Sequence, residues 1–145
     1  MATWANTTLS TASTLEAVES LSSKLMTTDQ TAAKITRAKK LLKRQIEAWI
    51  AGKGITVDES DSEILIDVIA NPEIFDVTSD YLTLFLLYQD LYFNNSEGLY
   101  MAKRDYYETE WEDAYILAQS GINWDYDQDG TVDDYRKVTV RTLEL

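Results

Sequence analysis

The segment from Tyr81 to Tyr92 carries Tyr81, Leu82, Leu84, Phe85, Leu86, Leu87, Tyr88, Leu91 and Tyr92. Wound as a helix, it is apolar almost all round and has no face left for water. Such a helix belongs at the centre of a bundle or in a contact between subunits. Asp80 and Asp90 break off the lipophilic stretch around Leu82 to Leu87, and no apolar run approaches the roughly 20 residues that a bilayer span requires. Thr78, Ser79 or Asp80 can cap it, which predicts a helix over 79–94. Asn94-Asn95-Ser96 then reads as a tight break before a last long helix over 96–120, ended by Gly121. So short a link makes the two helices an antiparallel hairpin.

Of the 16 aromatic residues, 14 lie between Phe75 and Tyr135, so the main core is expected in this hairpin with the earlier helices packed against it. Tyr106, Tyr107, Trp111 and Tyr115 have the spacing of core and interface anchors. The fold expected is mainly α, a small antiparallel helical bundle with a long aromatic-rich hairpin and an extended, strand-like C-terminal tail.

The rest of the chain divides around that hairpin. Residues 1–12 are rich in Thr, Ser and Asn and are expected to form a flexible arm, followed by a helical domain over 13–134 and a tail over 135–145. Ser13-Thr14-Leu15-Glu16 matches a capping box, opening a short helix to about Met26 with Leu15, Val18, Leu21 and Leu25 on one stripe. Asp29 can cap a longer helix that ends near Gly52-Lys53-Gly54. Its core stripe is Ala32, Ile35, Ala38, Leu42, Ile46 and Trp49, while Lys34, Arg37, Lys39, Lys40, Lys43 and Arg44 occupy much of the remainder. Ser60-Asp61-Ser62-Glu63 is a second capping box, before a short helix with Ile64, Leu65, Val68 and Ile69 that Asn71-Pro72 stops. The tail, Lys137-Val138-Thr139-Val140-Arg141-Thr142-Leu143-Glu144-Leu145, is β-branched, and nothing else in the chain looks like a strand for it to pair with. A tail of this kind either stays unpaired or orders on a partner's sheet edge.

The chain contains no cysteine and no histidine. That excludes disulfides, thiol catalysis, Cys/His zinc sites and every nucleophile pair built on histidine. Glu108 and Glu112 are paired carboxylates one helical turn apart, but beside Lys103 and Arg104 they read as surface patterning. No catalytic or cofactor-binding residues are expected, and the chain reads as a non-enzyme. Met1-Ala2-Thr3-Trp4 lacks the basic start of a secretory leader, so synthesis in the cytoplasm is expected.

One loop has the pattern of a hard-cation site. In Asp125-Tyr126-Asp127-Gln128-Asp129-Gly130-Thr131-Val132-Asp133, Asp125, Asp127 and Asp129 converge carboxylates. Gly130 permits the turn, and the Thr131 carbonyl and Asp133 side chain can complete the shell around Ca²⁺. The bidentate Glu expected three residues on is replaced by Arg136, and the alternative is an Asx-rich turn that redirects the chain.

Charge is placed unevenly. Residues 1–54 hold eight Lys/Arg against four Asp/Glu, and residues 55–145 hold five against twenty-one, giving +4 and −16 within a total of −12. The total disfavours general binding to nucleic acid. The basic helix could still be a solvated face, a contact for nucleic acid or an anionic membrane surface, or one side of a contact between copies. In the last case Lys39, Lys40 and Lys43 on one copy meet Glu108 and Glu112 on the next, and repeated head to tail such contacts close a ring.

The aromatic hairpin, the stretch Met101-Ala102-Lys103-Arg104-Asp105-Tyr106-Tyr107 and the closing Trp124-Asp125-Tyr126-Asp127-Gln128-Asp129-Gly130 resemble the head-to-tail adaptor (head-completion or connector) proteins of tailed bacteriophages, over residues 29–145. The resemblance implies a structural virion protein of the neck. It would form a homo-oligomeric ring, commonly dodecameric, between the portal and a tail or neck protein. DNA would pass through its channel without specific binding, and no cofactor or membrane would be required. It also implies that the tail inserts into the portal through Arg136, Lys137, Val138, Val140, Arg141, Leu143 and Leu145. Two alternatives stay open: a calcium-binding helical module using Asp125–Asp133, and a small nucleic-acid-binding protein using the basic helix.

Overall fold

The computed structural model describes residues 3–54, 65–125, 132 and 134–135. The protein is mainly α-helical: α1 (Ala12–Val18), α2 (Ser22–Leu25), α3 (Thr28–Gly52), α4 (Asp76–Asn94) and α5 (Gly98–Gln119), followed by the short strands β1 (Asn123–Trp124) and β2 (Asp134–Tyr135). Single 3-10 turns at 65–68 and Pro72–Phe75 lead into α4. α4 packs along α5 and against α3, the central place that its all-round apolar surface requires.

The N-terminal segment is packed, in contrast to the expected flexible arm. Trp4 and Leu9 are buried, and the Trp4 ring meets Phe75 edge-on at 6.2 Å. The Trp4 backbone N–H donates to Asp67 Oδ1 at 3.1 Å, and Ser10 Oγ donates to Ser79 Oγ at 2.8 Å. Two large apolar side chains among small polar ones were enough to anchor the segment, because the bundle leaves a space that they fill.

Caps also move. The first capping box is Thr11 with Thr14, and the predicted single helix divides into α1 and α2. Only Leu15 of its expected stripe is buried; Leu25 is half-buried, while Val18 and Leu21 are exposed. α3 starts from Thr27, whose hydroxyl accepts from Gln30 N at 3.2 Å while Gln30 Oε1 accepts from Thr27 N at 2.9 Å. That reciprocal pair satisfies two orphan donors, whereas Asp29 would satisfy one; inside the first turn Asp29 instead complements the helix dipole. The buried ridge of α3 is Thr31, Ala38, Leu42, Ile46 and Ile50, with Ile35 and Trp49 half-buried and Ala32 exposed. Thr31 can be buried because its hydroxyl donates to the Thr27 carbonyl at 2.9 Å. The helix ends before Gly54, whose φ of 78° suits glycine.

α4 starts earlier than predicted. Pro72 opens a 3-10 turn that runs directly into Asp76, since proline at the first position needs no N–H partner. Thr78, Ser79 and Asp80 are therefore not caps but lie buried in the first turns. Two of the three are tied to the N-terminal segment: the Ser79 hydroxyl accepts from Ser10 Oγ, and Thr14 Oγ1 donates to Asp80 Oδ1 at 2.9 Å, while the Thr78 hydroxyl is buried without a hydrogen-bond partner among the described residues. The second predicted capping box, at Ser60–Glu63, lies outside the described residues; the described part of the helix expected to follow it is a 3-10 turn at 65–68, with Val68 and Ile69 buried and Ile69 in a β-bridge.

The core has two parts, not one centred on the hairpin. The larger joins Trp4, α3 (Leu42, Ile46), Phe75, Leu82 and Leu86 of α4, Tyr115 of α5 and Trp124. The smaller joins Leu15 and Met26 to Leu84, Leu87, Tyr88 and Tyr107. At about 1.5–3 kcal/mol for each fully buried Leu, Ile or Phe side chain, the larger cluster carries most of the apolar stabilisation.

Beyond α5 the chain is held by Asn71, whose Nδ2 donates to the Gly121 carbonyl at 3.0 Å and whose Oδ1 accepts from Asn123 N at 2.8 Å. β1 and β2 pair antiparallel, Asn123 with Tyr135 and Trp124 with Asp134, and Ile69 bridges Trp124. The start of the tail thus has a strand partner that its sequence did not announce.

Candidate functional site

The most constrained polar group is Glu19, a residue that sequence reasoning passed over. It caps the C-terminus of α1 and is only 6% exposed. Tyr107 OH donates to its Oε2 at 2.8 Å and Lys103 Nζ at 2.9 Å, so one carboxylate ties the N-terminal helices to α5. Tyr107 stacks on Tyr88 at 5.8 Å and on Tyr81 at 6.1 Å. Burial works to raise the Glu19 pKa, but the hydrogen bonds from Lys103 and Tyr107, with the lysine charge, prevail and hold it below the ordinary carboxylate value. Burial, with Glu19 close by, pushes both Tyr88 and Tyr107 far up. A carboxylate kept ionised beside phenols kept neutral is a staple. It is poorly suited to proton transfer near neutral pH.

The basic face of α3 is only partly available to a partner. Lys39 Nζ donates to the Thr7 carbonyl at 2.6 Å and lies 6.0 Å from the centroid of the Trp4 ring; burial lowers its pKa. Lys43 pairs with Glu47 at 3.7 Å, and Lys34 pairs with Asp90. Arg37, Lys40 and Arg44 are the exposed members. Glu108 and Glu112 are exposed on α5, with Asp105 and Asp113. α4 packs against both α3 and α5, and the exposed basic and acidic groups sit on these two different helices. Lys39, Lys40 and Lys43 are not brought against Glu108 and Glu112 within one copy.

Asp125, the first residue of the Asp-rich loop, is fully buried, and its N–H donates to the Val68 carbonyl at 2.7 Å. Asp127, Asp129, Thr131 and Asp133 lie outside the described residues, as do Arg136, Lys137, Val138, Val140, Arg141, Leu143 and Leu145 of the tail. Among the described residues no cluster of His, Cys, Asp or Glu is placed to hold a metal ion. Among them also, no helix is long and apolar enough to cross a membrane.

Of the four aromatic anchors on α5, Tyr107 and Tyr115 are buried, Trp111 is half-buried and Tyr106 is exposed. An apolar groove of about 430 Å³ opens where the start of α4 meets the end of α5, lined by Ile74, Val77, Ala114, Leu117, Ala118, Ser120 and Gly121. Leu117 is 74% exposed and Val77 50%, a costly arrangement for an uncovered surface. No family model, curated protein or solved structure matches this chain.

Proposed function

We propose that this protein is a non-enzymatic structural component of a phage neck, a head-to-tail adaptor that repeats as a ring between the portal and a tail or neck protein. The observation that carries the reading is the segregation of exposed charge onto different helices. Exposed Arg37, Lys40 and Arg44 lie on α3, and exposed Asp105, Glu108 and Glu112 on α5. The basic helix of one copy can pair with the acidic helix of the next, which favours head-to-tail repetition, whereas either face presented to itself would repel. The resemblance of the hairpin and of the segment after it to adaptor proteins supplies the setting. The acidic surplus suits a channel through which DNA slides without sticking.

Electron microscopy of the chain mixed with the portal protein of its own source tests this. Rings stacked on the portal by the full chain, and not by a chain ending at Asp134, are expected. Failure of both chains to associate would reject the assignment.

A further inference from the structure

We infer that the C-terminal tail, residues 136–145, docks in cis into the apolar groove between the start of α4 and the end of α5. Position is the first argument. β2 runs antiparallel to β1 and its last residue, Tyr135, pairs with Asn123, two residues from Gly121 at the end of the groove, so the tail begins beside the groove. Reach is the second. Ten extended residues span about 33 Å, whereas Leu117 lies only about 6 Å along α5 from Gly121.

Chemistry is the third argument. Val138 and Val140 are two apart and share one face of an extended chain, as do Leu143 and Leu145. The groove offers Ile74, Val77, Ala114 and Leu117 to such a face. Charge is the fourth. Arg136, Lys137 and Arg141 outnumber Glu144 in the tail, while Glu73, Asp76 and Asp113 are exposed beside the groove's lining residues in the sequence. Docking would cover Leu117 and Val77, which the described residues leave open. The inference needs only the β1–β2 register and the groove, and it stands apart from the adaptor reading. On that reading, the tail would leave the groove when it enters the portal.

The absence of native cysteine makes disulfide trapping clean. The full chain carrying Leu117→Cys and Val140→Cys is compared under mild oxidation with one carrying Ile116→Cys and Val140→Cys. Ile116 is also exposed and equally within reach of the tail, but is turned about 100° round α5 from Leu117 and does not line the groove. Docking predicts a monomeric disulfide at Leu117 forming roughly tenfold faster than at Ile116, because a seated tail exceeds the millimolar effective concentration of a free tether. Equal rates at the two positions would overturn the inference. So would a product that is mainly a disulfide-linked dimer, which would place the tail on another copy. Both results are read without portal protein, so they separate from the outcome of the microscopy.

Discussion

Replacing Glu19 with alanine removes one side chain but breaks the joint between the N-terminal helices and α5. The hydrogen bond from Tyr107 is buried and charge-assisted, a class worth about 1.5–3 kcal/mol. The Lys103 partner is 36% exposed, so its ion pair is screened and adds at most about 1 kcal/mol. Together they predict a loss of about 2–4 kcal/mol, or a fall of roughly 10 °C in Tm for a chain of this size. The assay is urea unfolding followed by circular dichroism at pH 7, on wild type, Glu19→Ala, Tyr107→Phe and the double variant. Coupling of about 1–2 kcal/mol between the two positions is expected, because Tyr107→Phe removes the hydroxyl that Glu19→Ala leaves unpaired. The pH dependence has a definite sign. Glu19 sits below its ordinary value near 4.5 in the folded state, so its contribution is complete above that value. It is lost as pH falls through the lower folded pKa. The gap between wild type and Glu19→Ala should therefore close on acidification. A coupling under about 0.3 kcal/mol, or a gap that widens with acid, would refute the reasoning.

Trp4→Ala should cost about 3–5 kcal/mol in the same assay, the range for a buried aromatic, and a loss below about 0.5 kcal/mol would return residues 3–10 to a loose arm. Asp80→Asn should stabilise the protein at pH 7: burial raises the Asp80 pKa against the opposing Ser10 and Thr14 hydrogen bonds, and an amide can still accept from Thr14. That gain should fade as pH falls through the raised folded pKa and be gone below the ordinary value of 3.8, where the aspartate is neutral in both states. Charge reversal separates the two kinds of lysine on α3. Lys40→Glu should leave monomer stability within about 0.5 kcal/mol, whereas Lys39→Glu should destabilise by breaking the bond to the Thr7 carbonyl. Thermal melts of the two variants would show the difference, and equal Tm values would contradict it.

How much of this was legible beforehand differs from element to element. The all-round apolar stretch at 81–92 identified the central helix because no other packing hides every face of it. The Asn94-Asn95-Ser96 break identified the hairpin because the helix cannot continue comfortably through residues that compete for its backbone bonds. Helix starts were less legible. Thr27 and Asp29, or Thr11 and Ser13, are equally good caps by residue type, and only the geometry of the reciprocal bond chose between them. The basic helix was plain as a pattern, but its partition into engaged and exposed lysines was not: Lys39 is spent on a carbonyl thirty-two residues away in the chain. Glu19 carried no local signal at all, since its partners Tyr107 and Lys103 come from the far end of the sequence.

By itself, then, the sequence determined the helical class, the hairpin and the charge asymmetry, because periodicity and chain breaks act over a few residues. Only tertiary structure decided that Trp4 is core, that Glu19 is a staple, that Tyr135 has a strand partner and that an open groove ends beside it. Each of those depends on groups far apart in the chain meeting in space, where burial changes what a side chain costs and what it can bind.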